Sequence, residues 1–142
     1  MTNEAPTVTL TPEVRHFLEA GPRFATIATI NPNGSPHQAV VWYLLRGDEI
    51  VLNSRVGRRW PTNLQRDPRI SVMVEDGLDA VALGGIVEID HDHDLAQADI
   101  AEMAYRYDSV EEAEREIARF RTEHRRRFVL RPSRIHVHGD PR

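Results

Sequence analysis

Residues 53–69, NSRVGRRWPTNLQRDPR, carry the densest set of groups that could do chemistry. A strand end, a serine hydroxyl, a glycine turn and two adjacent arginines run into a short helix that includes Thr62, Asn63 and Leu64. That combination can build an anion site. Glycine lets backbone approach a ligand, free amides and hydroxyls donate hydrogen bonds, and arginine forks match phosphate oxygens. The same residues would also serve as a solvated basic turn.

Three other clusters compete with it. His91-Asp92-His93-Asp94 has metal-ligand types, but it falls where a strand passes into a helix, and Asp and His are natural turn and capping residues there. His136 and His138 alternate on one strand face, which fits a surface or edge position as well as a ligand pair. Arg119, Arg121, Arg125, Arg126 and Arg127 form a basic run. Glu111, Glu112, Glu114, Glu116 and Glu123 offset it, so it reads as a salt-bridged helix face rather than a nucleic-acid surface.

Composition narrows the chemistry further. All 18 basic residues are arginine, and there is no lysine for a Schiff base. There is no cysteine for a disulfide, a thiolate metal site or a nucleophile. The net charge of −4 does not call for nucleic acid or an anionic membrane. No run approaches the roughly 20 apolar residues of a membrane span. MTNEAPTVTLTPEV lacks the basic and apolar regions of a secretory signal, so a cytoplasmic protein without membrane or nucleic-acid partners is expected.

The elements that must position these groups read as follows. Residues 1–9 form a loose polar tail on a single domain spanning 1–142. Thr11-Pro12-Glu13 opens a helix carrying Val14, Phe17 and Leu18, which ends at Gly21-Pro22. Strands are expected at 24–30, 37–45, 49–53, 70–75 and 78–90, with turns at Asn33-Gly34, Gly47-Asp48 and Asp76-Gly77. Gly84-Gly85 marks a bulge or bend. Residues 94–107 and 110–126 are helical. A last strand, 128–130 and 134–137, is interrupted by Pro132. Short connections force antiparallel pairing. The expected fold is mainly β: a six-stranded antiparallel split barrel with peripheral helices.

Three ordered pieces carry a family resemblance: FATIATINPNGSPHQAVVWYLL, then EIVLNS with the arginine pair, then NLQRDPRISVMVED. Together they resemble the flavin- and deazaflavin-dependent oxidoreductases of the pyridoxamine 5'-phosphate oxidase-like, FMN-binding split-barrel superfamily. The NPNGSPH turn, the VVWY strand and RRWPTNLQRDPR look closest to the branch using the deazaflavin coenzyme F-420. The resemblance implies a homodimer that transfers hydride between coenzyme F-420 and an unsaturated small-molecule acceptor. FMN is the alternative cofactor. A non-catalytic deazaflavin- or haem-binding protein is the alternative from another class.

The resemblance also implies a cofactor ring against Gln38, Ala39, Val40, Val41 and Trp42, held partly by backbone groups. The phosphate would lie near Asn53, Ser54, Arg58 and Arg59, with Trp60 and Asn63 completing the set. Many relatives carry a lysine where this chain has Trp60, and an indole cannot pair with phosphate as an ammonium does. Trp42 and Tyr43, as strand neighbours, must face opposite sides, one in the core and the other at the ring or an interface. No catalytic side chain and no metal are expected.

Overall fold

The computed structural model describes residues 6–142. Residues 1–5, part of the expected tail, lie outside the described residues. Within the rest of that tail, the Val8 amide donates to the Pro132 carbonyl at 2.8 Å.

Helix α1 (Pro12–Glu19) starts as its sequence directs: Thr11 accepts from the Val14 amide and Pro12 opens the first turn. Strands β1 (Ala25–Ile30), β2 (Pro36–Val41), β3 (Leu44–Arg46) and β4 (Glu49–Arg55) follow. Then come α2 (Arg59–Arg66), β5 (Arg69–Asp76), β6 (Asp79–Asp90), α3 (His93–Tyr107), α4 (Val110–Phe120), β7 (Arg125–Leu130) and β8 (Arg134–His138). All pairings are antiparallel, in the order β2-β1-β5-β6-β7-β4-β3, with β8 on β6. The sheet curls into a half-barrel around one apolar core.

The described residues form eight strands rather than six, for two local reasons. The expected strand 37–45 divides at Trp42-Tyr43, because β2 pairs with β1 while β3 pairs with β4. The expected last strand likewise divides: β7 lies between β4 and β6, whereas β8 pairs with the other half of β6. The helix expected over 110–126 stops at Phe120. Residues 121–124 turn the chain, and Arg125–Arg127 enter β7 opposite Arg55–Asn53. Charged residues that favour a helix face are taken into a strand by cross-strand pairing.

Gly84 and Gly85 sit where β6 changes partners. A side chain at 84 would collide with the Arg134 guanidinium, and one at 85 would crowd Leu130 and Ser133. The glycines therefore permit close approach of neighbouring segments, a role beyond the bulge or bend expected there.

Two apolar clusters result. Phe17, Leu18, Ile27, Tyr43, Leu52, Trp60, Leu64, Phe128 and Leu130 fill the barrel. Val51, Ile100, Met103, Ala113, Ile117 and Phe120 bind α3 and α4 to its outside. β4 serves both, since consecutive Val51 and Leu52 point to opposite faces.

Candidate functional site

A cavity of about 550 Å³ opens between the end of β2, the end of β4, the start of α2 and the side of α4. This size suits a small organic ligand or cofactor. Phe24, Ala39, Val40, Val41 and Trp42 form one wall. Asn53, Ser54, Arg55, Arg58 and Trp60 form another, and Glu116, Arg119, Phe120, Glu123 and Arg125 close it.

The aromatic wall is rigid. Trp42 stacks on Tyr107 with centroids 5.2 Å apart and planes 3° from parallel. Phe24 stacks on the same ring at 5.5 Å, and Phe120 meets Trp42 edge-on at 6.5 Å. The Tyr107 hydroxyl donates to the Arg23 carbonyl at 2.6 Å and accepts from the Tyr43 amide at 3.3 Å. Phe24 nevertheless stays 57% exposed, a flat apolar surface at the rim. Tyr43 faces the other way, fully buried in the barrel, with its hydroxyl donating to the Leu18 carbonyl at 2.6 Å. Of the two aromatic neighbours, then, Tyr43 is core and Trp42 lines the cavity.

Among the described residues β2 is an end strand of the sheet and pairs only with β1, so backbone groups on its far edge are not spent in the ladder. Ala39 and Val41 pack toward the barrel core. Gln38 and Val40 point outward, and Gln38 does not line the cavity.

The polar end is built from β4, β7 and α2. Asn53 is buried and fully engaged: its amide donates to the Ala96 carbonyl at 2.8 Å and its oxygen accepts from Arg125 Nε at 2.8 Å. Ser54 is buried beside it. Arg58 caps α2 without any side-chain cap bond, and it is exposed. Arg125 is 7% exposed, with Nη1 bonded to Glu123 at 2.8 Å and its plane 4.6 Å from the Phe120 ring centroid. Burial pushes the Arg125 guanidinium pKa below its usual range. Glu123 opposes that shift, whereas the nearby charges of Arg58 and Arg119 add to it.

The structure does not bring all the expected phosphate residues together. Arg58 lines this cavity, whereas Arg59 and Asn63 line a second one of about 740 Å³ with Asn31, Pro32, Asn33, Gly57, Thr62 and Arg66. Asn63 is a buried brace, donating at 3.1 Å to both the Thr29 hydroxyl and Asn31 Oδ1. Trp60 is 5% exposed, its ring edge-packed 5.0 Å from Phe128. It touches the cavity from the core and presents no charge to it.

Phe24, Phe120, Glu123 and Arg125 are cavity residues that sequence reasoning did not assign. A signal existed only for Arg125, in the basic run, and the expected helix concealed its register opposite Arg55. The other clusters have structural roles. Asp92 caps α3 by accepting from the Leu95 amide at 3.0 Å, and His93 meets His124 edge-on at 5.6 Å. His136 and His138 are exposed on β8. Among the described residues, no helix is long and apolar enough to cross a membrane.

Comparisons with known proteins agree with this fold. A conserved hypothetical protein of Mycobacterium tuberculosis superposes with a TM-score of 0.78 at 25% identity, over 99% of this chain and 91% of that one. An F420 reductase superposes at 0.70 with 22% identity, over 85% and 94%. The haem storage protein HutZ of Vibrio cholerae does so at 0.69 with 19% identity, over 94% and 97%. The last two likenesses establish a shared fold. No curated protein sequence matches the chain. The family model for pyridoxamine 5'-phosphate oxidase matches residues 10–137, nearly the whole chain, and the protein therefore belongs to that split-barrel family.

Proposed function

We propose that the protein is a coenzyme F-420-dependent oxidoreductase acting on an unsaturated small-molecule acceptor. One observation carries this reading: a single cavity joins a flat aromatic wall and a free strand edge to a cationic end at Ser54 and Arg58. When bound, the deazaflavin would supply two-electron redox chemistry. The protein's own groups would bind and orient. Backbone groups of residues 39–41 would meet the ring edge, Trp42 would limit its tilt, and Ser54 and Arg58 would hold the phosphate. The half-exposed Phe24 face offers an acceptor a place to stack.

The lining also bears on the haem alternative. Haem iron needs an axial His, Met, Cys or Tyr. None of the residues lining this cavity is of those types. The donor set thus suits a phosphorylated flavin or deazaflavin, and a haem ligand would have to come from elsewhere.

We also propose a homodimer through the outer face of the sheet. The registers align Val40, Thr26, Met73, Ala82 and His136 in one row across five strands. Val40 is 69% and Met73 44% exposed there, an apolar stripe suited to a second copy. The absence of cysteine fits a cytoplasmic setting.

Fluorescence titration with coenzyme F-420 and, separately, FMN tests the cofactor assignment. Tight deazaflavin binding with weak FMN binding supports it. FMN preference moves the protein to the flavin-dependent oxidases and reductases, and binding of neither removes the cofactor reading. Cofactor binding without turnover on any acceptor would mark a carrier. Light scattering on Met73→Glu reports whether the outer face holds a dimer.

A further inference from the structure

One wall of the cavity has no part in holding the proposed cofactor. Helix α4 contributes Glu116, Arg119 and Phe120 to the lining. These residues lie three and four positions apart, so they share one helix face.

Arg119 is held in place on this wall without being neutralised. Its carbonyl accepts from the Thr122 hydroxyl at 2.6 Å, and the Phe120 carbonyl accepts from Gln97 at 2.8 Å, which fixes the backbone beneath it. Its guanidinium lies over the Phe120 ring, with Cζ 5.2 Å from the centroid. Glu116 approaches it only to 3.8 Å, beyond hydrogen-bond reach, and the Arg119 side chain stays 64% exposed. Neighbouring Arg125, by contrast, is engaged by Asn53 and Glu123 at 2.8 Å each. An exposed pair as long as Glu116–Arg119 contributes little, so a ligand carboxylate can replace Glu116 at small cost. The guanidinium fork matches such a carboxylate with two parallel bonds.

The surrounding charge places that ligand on the Phe24 side. Four arginines and two glutamates line the cavity. The Glu116–Arg119 pair also lines a smaller cavity of about 390 Å³, where Asp108, Glu112 and Glu116 oppose Arg115 and Arg119. Carboxylates outnumber guanidiniums there, so an anion bound to Arg119 is stabilised in the larger cavity and repelled from the smaller one. The larger cavity also has the flat apolar surface, the half-exposed Phe24 backed by Tyr107 and Trp42.

We infer that Arg119 is a specificity-determining residue that takes the carboxylate of a planar, conjugated acceptor whose unsaturated body lies against Phe24. Glu116 is a positioning residue that holds Arg119 until the ligand displaces it. That the ligand is an acceptor rests on the oxidoreductase reading; the carboxylate site does not.

The probe is trans-cinnamate, a planar unsaturated carboxylate, set against trans-cinnamamide, which has nearly the same shape without the charge. NMR titration of the full chain at constant ionic strength gives both affinities, without added cofactor and with saturating coenzyme F-420. Cinnamate should bind about fivefold more tightly than the amide. Arg119→Gln should abolish that preference while leaving amide and cofactor affinities unchanged, a split that structural damage would not give. Glu116→Gln, which frees the guanidinium, should tighten cinnamate about twofold. Arg58→Ala should leave the preference intact. No preference in the wild type, a preference that survives Arg119→Gln, weaker cofactor binding in that variant, or weaker cinnamate binding in Glu116→Gln would each overturn the inference. So would a preference lost in Arg58→Ala, which would put the carboxylate at the phosphate end. A chain that binds cinnamate through Arg119 but binds neither flavin nor deazaflavin keeps the carboxylate site and loses the oxidoreductase reading. One that binds cofactor while cinnamate is indifferent to Arg119 does the reverse.

Discussion

Adjacent arginines 58 and 59 look equivalent in sequence, yet they line different cavities, so single substitutions should separate them. Arg58 faces Ser54 and Arg125, whereas Arg59 faces the Asn31–Asn33 turn and Arg66. Arg58 is exposed and makes no ion pair or side-chain bond among the described residues. Arg58→Ala should therefore leave stability within about 0.5 kcal/mol of wild type. A charge-assisted bond to phosphate contributes about 1.5–3 kcal/mol, and the solvent exposure of Arg58 argues for the lower end. Losing about 1.5 kcal/mol weakens cofactor binding roughly tenfold. Arg59→Ala should change FMN affinity less than about twofold, because its groove is separate. The assay is fluorescence quenching of each cofactor with wild type and both variants, alongside urea unfolding. If Arg59→Ala weakens FMN as much as Arg58→Ala does, or if folded Arg58→Ala binds normally, the assignment of the phosphate to this cavity is wrong.

Three further expectations concern the frame around the cavity. Asp99, with a 1% exposed side chain, bonds Arg127 at 2.7 Å and pairs with Arg46 at 2.8 Å. Asp99→Asn should cost about 3 kcal/mol in urea unfolding, and a loss below about 1 kcal/mol would show the pairs to be dispensable. Trp60→Lys should destabilise by at least about 3 kcal/mol through lost packing on Phe128, without gaining phosphate affinity. A stable variant with tighter phosphate binding would contradict the burial of position 60. The Tyr43 hydroxyl is pushed up to about 12 by burial and then by neighbouring Tyr107. Its folded value lies above the ordinary tyrosine value, so this contribution to stability is complete below about pH 10 and is lost as pH rises toward 12. Tyrosinate absorbance should show Tyr43 ionising only with unfolding; Tyr43→Phe identifies its share.

The barrel was legible in the sequence because its strands obey a local rule. FATIATI and ISVMVE alternate, and both become strands with alternately buried residues. Caps at Thr11 and Asp92 and the turns at Gly34, Gly47 and Gly77 were equally local, each glycine adopting the left-handed backbone its turn needs. What could not be read was pairing between distant segments. Nothing near Trp42-Tyr43 announces that β2 joins β1 while β3 joins β4. The site was legible only where it is contiguous, from Ala39 to Trp42 and from Asn53 to Arg58.

The same limit explains why the cavity's most constrained cation was read as part of a helix. Residues 110–126 have helical composition throughout, yet α4 stops at Phe120, where the Thr122 and Glu123 amides donate to the Arg119 and Phe120 carbonyls and tertiary contacts join them. The Gln97 amide donates to the carbonyls of Phe120 and Glu123, at 2.8 and 3.1 Å, and so satisfies acceptors at the helix end. Helix α3 thus braces the end of α4. That stop lets Arg125 enter β7 opposite Arg55, with Asn53 within reach of its Nε. Had α4 continued for roughly two more turns, to Arg126, the same arginine would have followed a helical path instead of the β4 register. The place of Arg125 in the lining of this cavity therefore depends on where α4 ends, which composition alone does not show.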